Sequence, residues 1–393
     1  MGNAIAAQSE KYALITLLLF WCALIVVSSV YVTTPLVDTF SNYFHITQAM
    51  GAWTSSIFSF FYAVGFLMFG PLAERYGRKQ IIVVGLGLLT VVTVLIGFTD
   101  NFLLLVTLRG VQGFVAATFA PTALAYVFDV FPKQKLVTVI GFISFGFVVA
   151  GIFGQLIAGI INQTFDWQVV FLFFGSIYLI TMIAVSIILP SKSNNRENTF
   201  GIKNYLDAVG VIFNQRNFVL CYLITIMLLL TFIGMYTVLG DYLGSSPFYL
   251  SEEKILLVRS AGIIGMLLSP FAGVFVKRFG LLFVLKISLS LAVGGLFFMG
   301  TTAQFSIIVL VSVVFVAGIS LTFPVIMMLV GELGGKQRGV AASFYAFILF
   351  IGATLGPVIG ISLMSFGSYF VTFTALASLL GIALVAAFFI KIS

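Results

Sequence analysis

Charged residues are scarce in this chain of 393 residues, and their scarcity excludes most kinds of soluble protein. Only 8% of the residues are Asp, Glu, Lys or Arg, whereas 61% are hydrophobic. A soluble domain carries about 25% charged and about 45–50% apolar residues. The composition therefore argues against a soluble enzyme, a nucleic-acid-binding protein and a disordered protein. It predicts an all-α membrane protein, because a backbone in lipid must satisfy its own polar groups.

Cysteine and histidine are also rare. The chain has 2 Cys and 1 His. Cys22 and Cys221 each lie inside an apolar stretch, which favours two small buried side chains over a disulfide framework or a metal site. His45 follows the first apolar run and is expected on the outer surface. We therefore expect no metal and no cofactor.

The short motifs of catalysis and nucleotide binding are missing. The chain has no HExxH, no GxSxG and no GxxxxGK[ST]. It is therefore predicted to be neither an enzyme nor a pump driven by ATP. Residues 1–11 are polar, and the apolar run after them is too long for the core of a signal peptide, so we expect no cleavable signal.

Long apolar runs fill most of the chain. A membrane-spanning helix needs about 20 residues. Twelve runs of that kind are recognisable, at residues 12–38, 51–73, 80–98, 102–128, 136–162, 168–189, 217–243, 255–276, 280–300, 304–330, 339–365 and 368–391. They predict six-helix domains at residues 1–189 and 217–393, joined by a cytoplasmic linker at residues 190–216. Within that linker, residues 205–213 fit a helix on the membrane surface as well as they fit a loop.

Basic residues predict the orientation. With the N-terminus inside, all of the 19 basic residues except Arg109, Lys254 and Arg259 lie in cytoplasmic connections or termini. Cytoplasmic loops carry the excess of Lys and Arg, so both termini are predicted to be cytoplasmic. The net charge of +7 comes in small groups between apolar runs. This distribution indicates contact with an anionic bilayer surface and no nucleic-acid partner.

The two halves of the chain resemble each other. Under a shift of 203 residues, the segment 70–77 falls on 273–280, and Asp129 falls on Glu332. Under a shift of 202, Gly154 falls on Gly356. Several matches near half the chain length indicate two copies of one six-helix module. Because six is even, both copies enter the membrane from the same side and form a parallel repeat.

The connection between helices 2 and 3 carries the most specific motif, GPLAERYGRK at residues 70–79. Gly70 and Gly77 allow two helices to turn and pack closely, while Arg75, Arg78 and Lys79 hold the loop inside. The segment resembles the signature loop of the major facilitator superfamily, GxLaDRxGRK, with Glu74 where Asp is commoner. Together with the twelve helices and the repeat, this resemblance covers the whole chain.

The resemblance implies a function as well as a fold. It implies a monomeric secondary active transporter of the bacterial plasma membrane, in which substrate binds near the bilayer midplane between the halves and is exposed alternately to each side. It favours the drug and metabolite efflux branch, with export of a small molecule in exchange for protons. The alternative is a proton-coupled importer of a small nutrient. A channel would not need the repeated loop, and a receptor or structural role would leave Arg109 unexplained.

Two further motifs bear on the branch. Residues 108–113, LRGVQG, are similar to the family's RxxqG element, which is common among exporters. Helix 5 carries the run of glycines that marks antiporters, but Gln155 stands where proline is usual; Gly356-Pro357 keeps the pattern in helix 11. These glycines also predict tight helix packing; they include Gly151, Gly154, Gly159 and Gly356.

Charged residues inside the spans are the candidates for coupling. Arg109 lies roughly 10 Å into helix 4 at 1.5 Å per residue, and a cation there is expected to face a wet cavity or to pair with an acid. Asp38 is the nearest acid by helix order. Asp38 and Asp241, near the outer ends of helices 1 and 7, fit a cavity lining and a solvated rim equally well.

Acids at the cytoplasmic ends of helices 4 and 10 are expected to form latches. Asp129 and Glu332 fit as partners for the loop arginines, with Arg75 as the expected partner of Asp129. Because the resemblance implies that helices 1 and 7 line the cavity, the expected substrate contacts are Tyr31, Thr33, Thr34, Gln112, Tyr236 and Thr237.

Overall fold

The computed structural model describes residues 2–191, 214–365 and 367–391, together with residues 207, 209, 210 and 212. Every regular element in these residues is helical, which confirms the predicted all-α fold. The α-helices are α1 (Gly2–Tyr31), α2 (Val37–Phe44), α3 (Gln48–Tyr76), α4 (Arg78–Ile96), α5 (Phe102–Ala116), α6 (Ala120–Val130), α7 (Lys133–Thr164), α8 (Trp167–Ile188), α9 (Arg216–Gly244), α10 (Glu252–Met266), α11 (Ala272–Phe279), α12 (Leu281–Thr301), α13 (Phe305–Gly334), α14 (Arg338–Met364) and α15 (Tyr369–Phe389).

Twelve stretches of the described residues are long and apolar enough to cross a membrane, as predicted. Three of them consist of two helices in succession: α1 with α2, α5 with α6, and α10 with α11. A proline lies in the first turn after each break, at Pro35, Pro121 and Pro270. Proline has no N–H and fixes φ, so it starts a helical turn more readily than it continues one.

The chain divides into two compact units. Unit 1 comprises Met1–Lys133, Phe142–Leu206 and Ala342–Phe344, and unit 2 comprises Gln134–Gly141, Asp207–Ala341 and Tyr345–Ser393. In unit 1, α3 packs along α5 and α4 along α8; in unit 2, α12 packs against α13 and α15, and α9 against α15. Most of the predicted linker and of the amphipathic segment 205–213 lies outside the described residues, as do Lys192, Arg196 and Lys203.

A one-residue turn recurs in both units. Gly77 alone separates α3 from α4, with φ +94° and ψ 130°. Gly280 alone separates α11 from α12, with φ +87° and ψ 156°. This backbone conformation is unfavourable for residues with a side chain, whereas glycine adopts it freely. The two glycines are the pair matched in sequence, so the sequence repeat is also a repeat of backbone conformation.

Close helix crossings recur in the same way. A Cβ atom placed on Gly154 would lie 2.7 Å from the carbonyl oxygen of Ser28 on α1, and one on Gly356 would lie 2.7 Å from that of Leu230 on α9. Both distances are too short for a real Cβ, so glycine permits these crossings. Gly151 and Gly159 have ordinary clearance, with nearest atoms at 3.6 Å and 4.0 Å.

Candidate functional site

The polar centre of unit 1 is the guanidinium of Arg109. Arg109 lies seven residues after the first residue of α5, Phe102, or roughly 10 Å along the axis. Its side chain is 0% exposed. A cation buried at this depth is costly unless its donors and its charge are satisfied, so its contacts define what this site can do.

Neutral groups from several helices surround that guanidinium. Its Nε donates to the carbonyl oxygen of Thr54 at 3.1 Å, Nη1 donates to Gln112 Oε1 at 2.5 Å, and Nη2 donates to the carbonyl oxygen of Ser29 at 3.0 Å and to Thr33 Oγ1 at 3.4 Å. The Phe58 ring lies over the cation, with its centroid 4.3 Å from Cζ. Four hydrogen bonds and a cation–π contact therefore stabilise the charge.

The network extends from Arg109 to further helices. Gln112 donates to Thr93 Oγ1 on α4 at 2.7 Å. The hydroxyls of Ser29 and Tyr178 share a hydrogen bond of 2.6 Å, which adds α8. The Arg109 network, as we call this set of contacts, thus joins α1, α3, α4, α5 and α8. Its chemistry is that of a polar cross-link inside an apolar bundle.

Two expectations about Arg109 are wrong. Its full burial excludes a wet cavity around the guanidinium, and no carboxylate in the described part of the chain pairs with it. Asp38, the expected acid, is exposed in the first turn of α2. Backbone carbonyls, an amide and a ring take the place of the acid. Thr33 and Gln112, expected as substrate contacts, are buried in the Arg109 network.

The other predicted cavity residues differ in exposure. Tyr31 is half-buried at the end of α1, and Thr34 is exposed just beyond it. Tyr236 and Thr237 are half-buried on α9. Asp241 is exposed near the end of α9 and accepts a hydrogen bond of 2.6 Å from the Tyr369 hydroxyl on α15. The roles of these residues in substrate binding and in coupling stay predictions.

An ion pair links the 70–79 loop to the end of α6. Arg78 Nη1 lies 2.5 Å from Asp129 Oδ2, and the two side chains are 5% and 24% exposed. Arg78 also donates to the carbonyl oxygen of Ala125. Asp129 thus pairs with Arg78, one of the loop arginines expected as its partners, although Arg75 was the favoured one. Pairing of Asp129 with Arg75, which is exposed, stays a prediction.

The remaining loop residues take different positions. Lys79 donates to the carbonyl oxygen of Ser186 on α8 at 2.7 Å, Gly70 is buried in α3, and Glu74 is half-buried. Glu332 is exposed and forms no ion pair with the cations that the structure describes. Leu281 occupies the position that matches Arg78 under the 203-residue shift, and the pairing of Glu332 with a loop cation stays a prediction.

A second arginine lies inside a span of unit 2. Arg259 is seven residues from Glu252, the first residue of α10, and is half-buried. Its Nη2 donates to the carbonyl oxygen of Tyr236 at 2.9 Å. Sequence reasoning gave Arg259 no role, although its place inside the apolar run 255–276 was signal enough.

Metal binding finds no support in the described residues, where no cluster of three His, Cys, Asp or Glu side chains occurs. The two cysteines are free and buried. The site thus consists of arginines with hydroxyl, amide and aromatic neighbours. Such groups can bind, position and hold charge, and they form no nucleophile–base arrangement.

Comparisons with known proteins cover almost the entire chain. The sequence model of the Major Facilitator Superfamily matches residues 19–336. An uncharacterized transporter of Buchnera aphidicola subsp. Schizaphis graminum is 24% identical over 353 residues, which cover 90% of this chain and 85% of that protein. Multidrug resistance protein 1 of Bacillus subtilis is 24% identical over 360 residues, which cover 90% of each. FucP in its outward conformation has the same fold, with a TM-score of 0.77 at 17% identity, over 98% of this chain and 100% of FucP.

Proposed function

The chain belongs to the Major Facilitator Superfamily of membrane transporters and is a multi-pass protein of the bacterial cytoplasmic membrane; from this premise we propose that it exports a small molecule in exchange for protons. The exported compound is drug-like or a secreted metabolite. Residues 1–189 and 217–393 act as the two moving halves. Because one chain carries both halves, a monomer is sufficient.

The observation that carries the proposal is the 70–79 loop, with its one-residue turn at Gly77 and its ion pair between Arg78 and Asp129. A repeated turn and an ion pair at one end of a helix bundle suit a protein that switches between conformations. Export is favoured by the match to multidrug resistance protein 1 and by the resemblance of residues 108–113 to an element common among exporters.

Roles for single residues follow from their environment. We assign proton coupling to Asp38 or Asp241, because both carboxylates are exposed and both lie near the predicted outer ends of their spans. The substrate contacts are Tyr31, Thr34, Tyr236 and Thr237, none of which is fully buried. Arg109 is a positioning residue, because its donors are used within the protein.

Dye accumulation tests the proposal. Cells that express the chain are incubated with ethidium beside cells that carry the empty vector, and the media of both are compared for excreted metabolites. An exporter lowers dye accumulation or raises a metabolite in the medium, and a protonophore abolishes the effect. Higher accumulation in expressing cells would reverse the direction to import. No difference in dye or in metabolites would overturn export.

A further inference from the structure

Arg259 differs from Arg109 in how its charge is compensated. Both lie seven residues into their helices. Arg109 makes four hydrogen bonds and a ring contact. The guanidinium of Arg259 makes one hydrogen bond within the described residues, to the Tyr236 carbonyl oxygen, and its buried Nε has no partner there. A buried donor without a hydrogen-bond partner destabilises a protein, and a cation inside a membrane span needs its charge compensated.

The carboxylates near Arg259 do not complete it. No ion pair to Arg259 occurs in the part of the chain that the structure describes. Asp241, five residues beyond Tyr236 on α9, accepts from Tyr369 on α15 instead. The Nε donor of Arg259 is therefore left for a partner from outside the described residues.

The position of Arg259 is shaped by contacts in both directions. Its Nη2 lies where a side chain on Gly240 would begin, and the Tyr236 hydroxyl lies where a side chain on Gly262 would begin. Tyr236 in turn donates from its hydroxyl to the carbonyl oxygen of Arg259 at 3.3 Å. Two glycines and two reciprocal hydrogen bonds thus fix the guanidinium against α9.

The face of α10 that carries Arg259 is distinct from its most exposed apolar face. Leu257 and Ile264, on one side of the helix, are 73% and 64% exposed, as expected for contact with lipid tails. Arg259 lies with Ile255 and Ile263, at four-residue spacing, on a partly exposed face. Arg259 is therefore partly exposed on a face of α10 that lies opposite to Leu257 and Ile264.

We propose that Arg259 and Tyr236 form an anion-binding site and that the transported compound is an aromatic monocarboxylate. The inference rests on the proposed transport function and adds a substrate class to it. A guanidinium edge matches the two oxygens of a carboxylate, and one cation balances one negative charge. The half-buried ring of Tyr236, which packs on the buried ring of Phe232 with centroids 5.1 Å apart, provides an aromatic surface beside the cation for the ring of the ligand.

Equilibrium binding to the purified full-length chain in phosphatidylcholine nanodiscs tests the site without any ion gradient. The probe is radiolabelled benzoate, and benzamide is its neutral isostere. Wild type should bind benzoate saturably and at least about tenfold more tightly than benzamide. Arg259→Gln should lose about tenfold or more in benzoate affinity and should lose the preference over benzamide, because the charge is gone. Arg259→Lys keeps the charge without the fork and should be intermediate while still preferring benzoate.

Lys254→Gln is the matched control, because it removes an exposed cation from the same helix; its affinity should stay within about twofold of wild type. Absence of benzoate binding, equal affinity for benzamide, or unchanged binding by Arg259→Gln would overturn the site. Loss of benzoate binding when phosphatidylglycerol is added would show that a lipid phosphate occupies Arg259, which also overturns it. Benzoate binding without gradient-driven transport would refute the proposed function and leave the site standing.

Discussion

Arg109 and Gln112 lie one turn apart on α5, and the Arg109 guanidinium donates to the Gln112 side-chain oxygen across 2.5 Å. The Gln112 amide donates in turn to the Thr93 hydroxyl on α4. Nε and Nη2 of Arg109 donate to backbone carbonyl oxygens on α3 and α1. The relationship makes Arg109 a cross-link whose planar fork matters as much as its charge. Substitution of Arg109 by lysine keeps the charge and loses the fork, whereas substitution by alanine loses both.

Arg109→Lys should lose most gradient-driven transport, although it keeps the charge. Three separate guanidinium nitrogens donate to Thr54, Gln112 and Ser29, whereas an ammonium group has its three donors on one nitrogen and lacks this spread. Each lost charge-assisted hydrogen bond is worth about 1.5–3 kcal/mol. Arg109→Ala should abolish uphill transport while the protein still reaches the membrane. Initial transport rates, surface expression and melting temperature in detergent measure these effects.

The control for this series is Arg278→Lys, which makes the same change at an exposed arginine and should leave both rates and melting temperature near wild type. Full transport by Arg109→Lys would show that charge alone suffices. Full transport by Arg109→Ala would remove Arg109 from the functional residues altogether.

The latch predicts a coupling energy between Arg78 and Asp129. Because Arg78 is nearly buried, a double-mutant cycle with Arg78→Gln and Asp129→Asn should give about 1–3 kcal/mol. The same cycle with Arg75→Gln should give a smaller value, since Arg75 is exposed. Denaturation in mild detergent provides the free energies. A larger coupling for Arg75 than for Arg78 would reassign the latch to the residue that sequence reasoning favoured.

The glycines of α7 offer a matched pair. Gly154→Ala would place a methyl group 2.7 Å from the Ser28 carbonyl oxygen, so it should destabilise the protein by about 1–3 kcal/mol through overpacking. Gly159→Ala meets nothing nearer than 4.0 Å and should be neutral or stabilise by up to about 1 kcal/mol. Thermal unfolding of both variants decides the matter. Equal melting temperatures would mean that the crossing at Gly154 relaxes freely.

Energy coupling is tested by separating the gradient from ATP. A protonophore should stop net export, while ATP depletion at a maintained gradient should not, because the chain has no phosphate-binding loop. The carboxylates give a separate prediction. At least one of Asp38→Asn and Asp241→Asn should lose uphill transport and keep downhill exchange, since an amide cannot take up and release a proton. Asp166→Asn, an exposed acid before α8, is the control. Undiminished accumulation ratios in protonophore would contradict proton coupling.

The sequence was sufficient for the spans and for the turn. The length of the hydrophobic runs predicts the twelve spans. The match of residues 70–77 with 273–280 makes Gly77 and Gly280 equivalent positions, and in the structure their φ angles are similar, +94° and +87°. The helix breaks at Pro35, Pro121 and Pro270 went unpredicted, because hydropathy does not register an interruption inside an apolar run.

The surroundings of Arg109 lay beyond sequence reasoning for a physical reason. Two of its acceptors are the carbonyl oxygens of Ser29 and Thr54, and a main-chain oxygen carries no sequence signal. The choice between Arg75 and Arg78 had a similar cause. Residues three apart around the end of one helix and the start of the next point in directions that only the backbone at Gly77 fixes.

The order of the Arg109 contacts along the chain bears on how the protein is made. An isolated arginine at the centre of a span costs about 2.5–3.5 kcal/mol to insert into a bilayer. Ser29, Thr33 and Thr54, together with the Phe58 ring, all precede Arg109, and Gln112 follows it within a turn. Ribosomal synthesis therefore completes four of the five contact partners before α5, and α5 can enter the membrane beside α1 and α3, which already carry the carbonyl oxygens of Ser29 and Thr54.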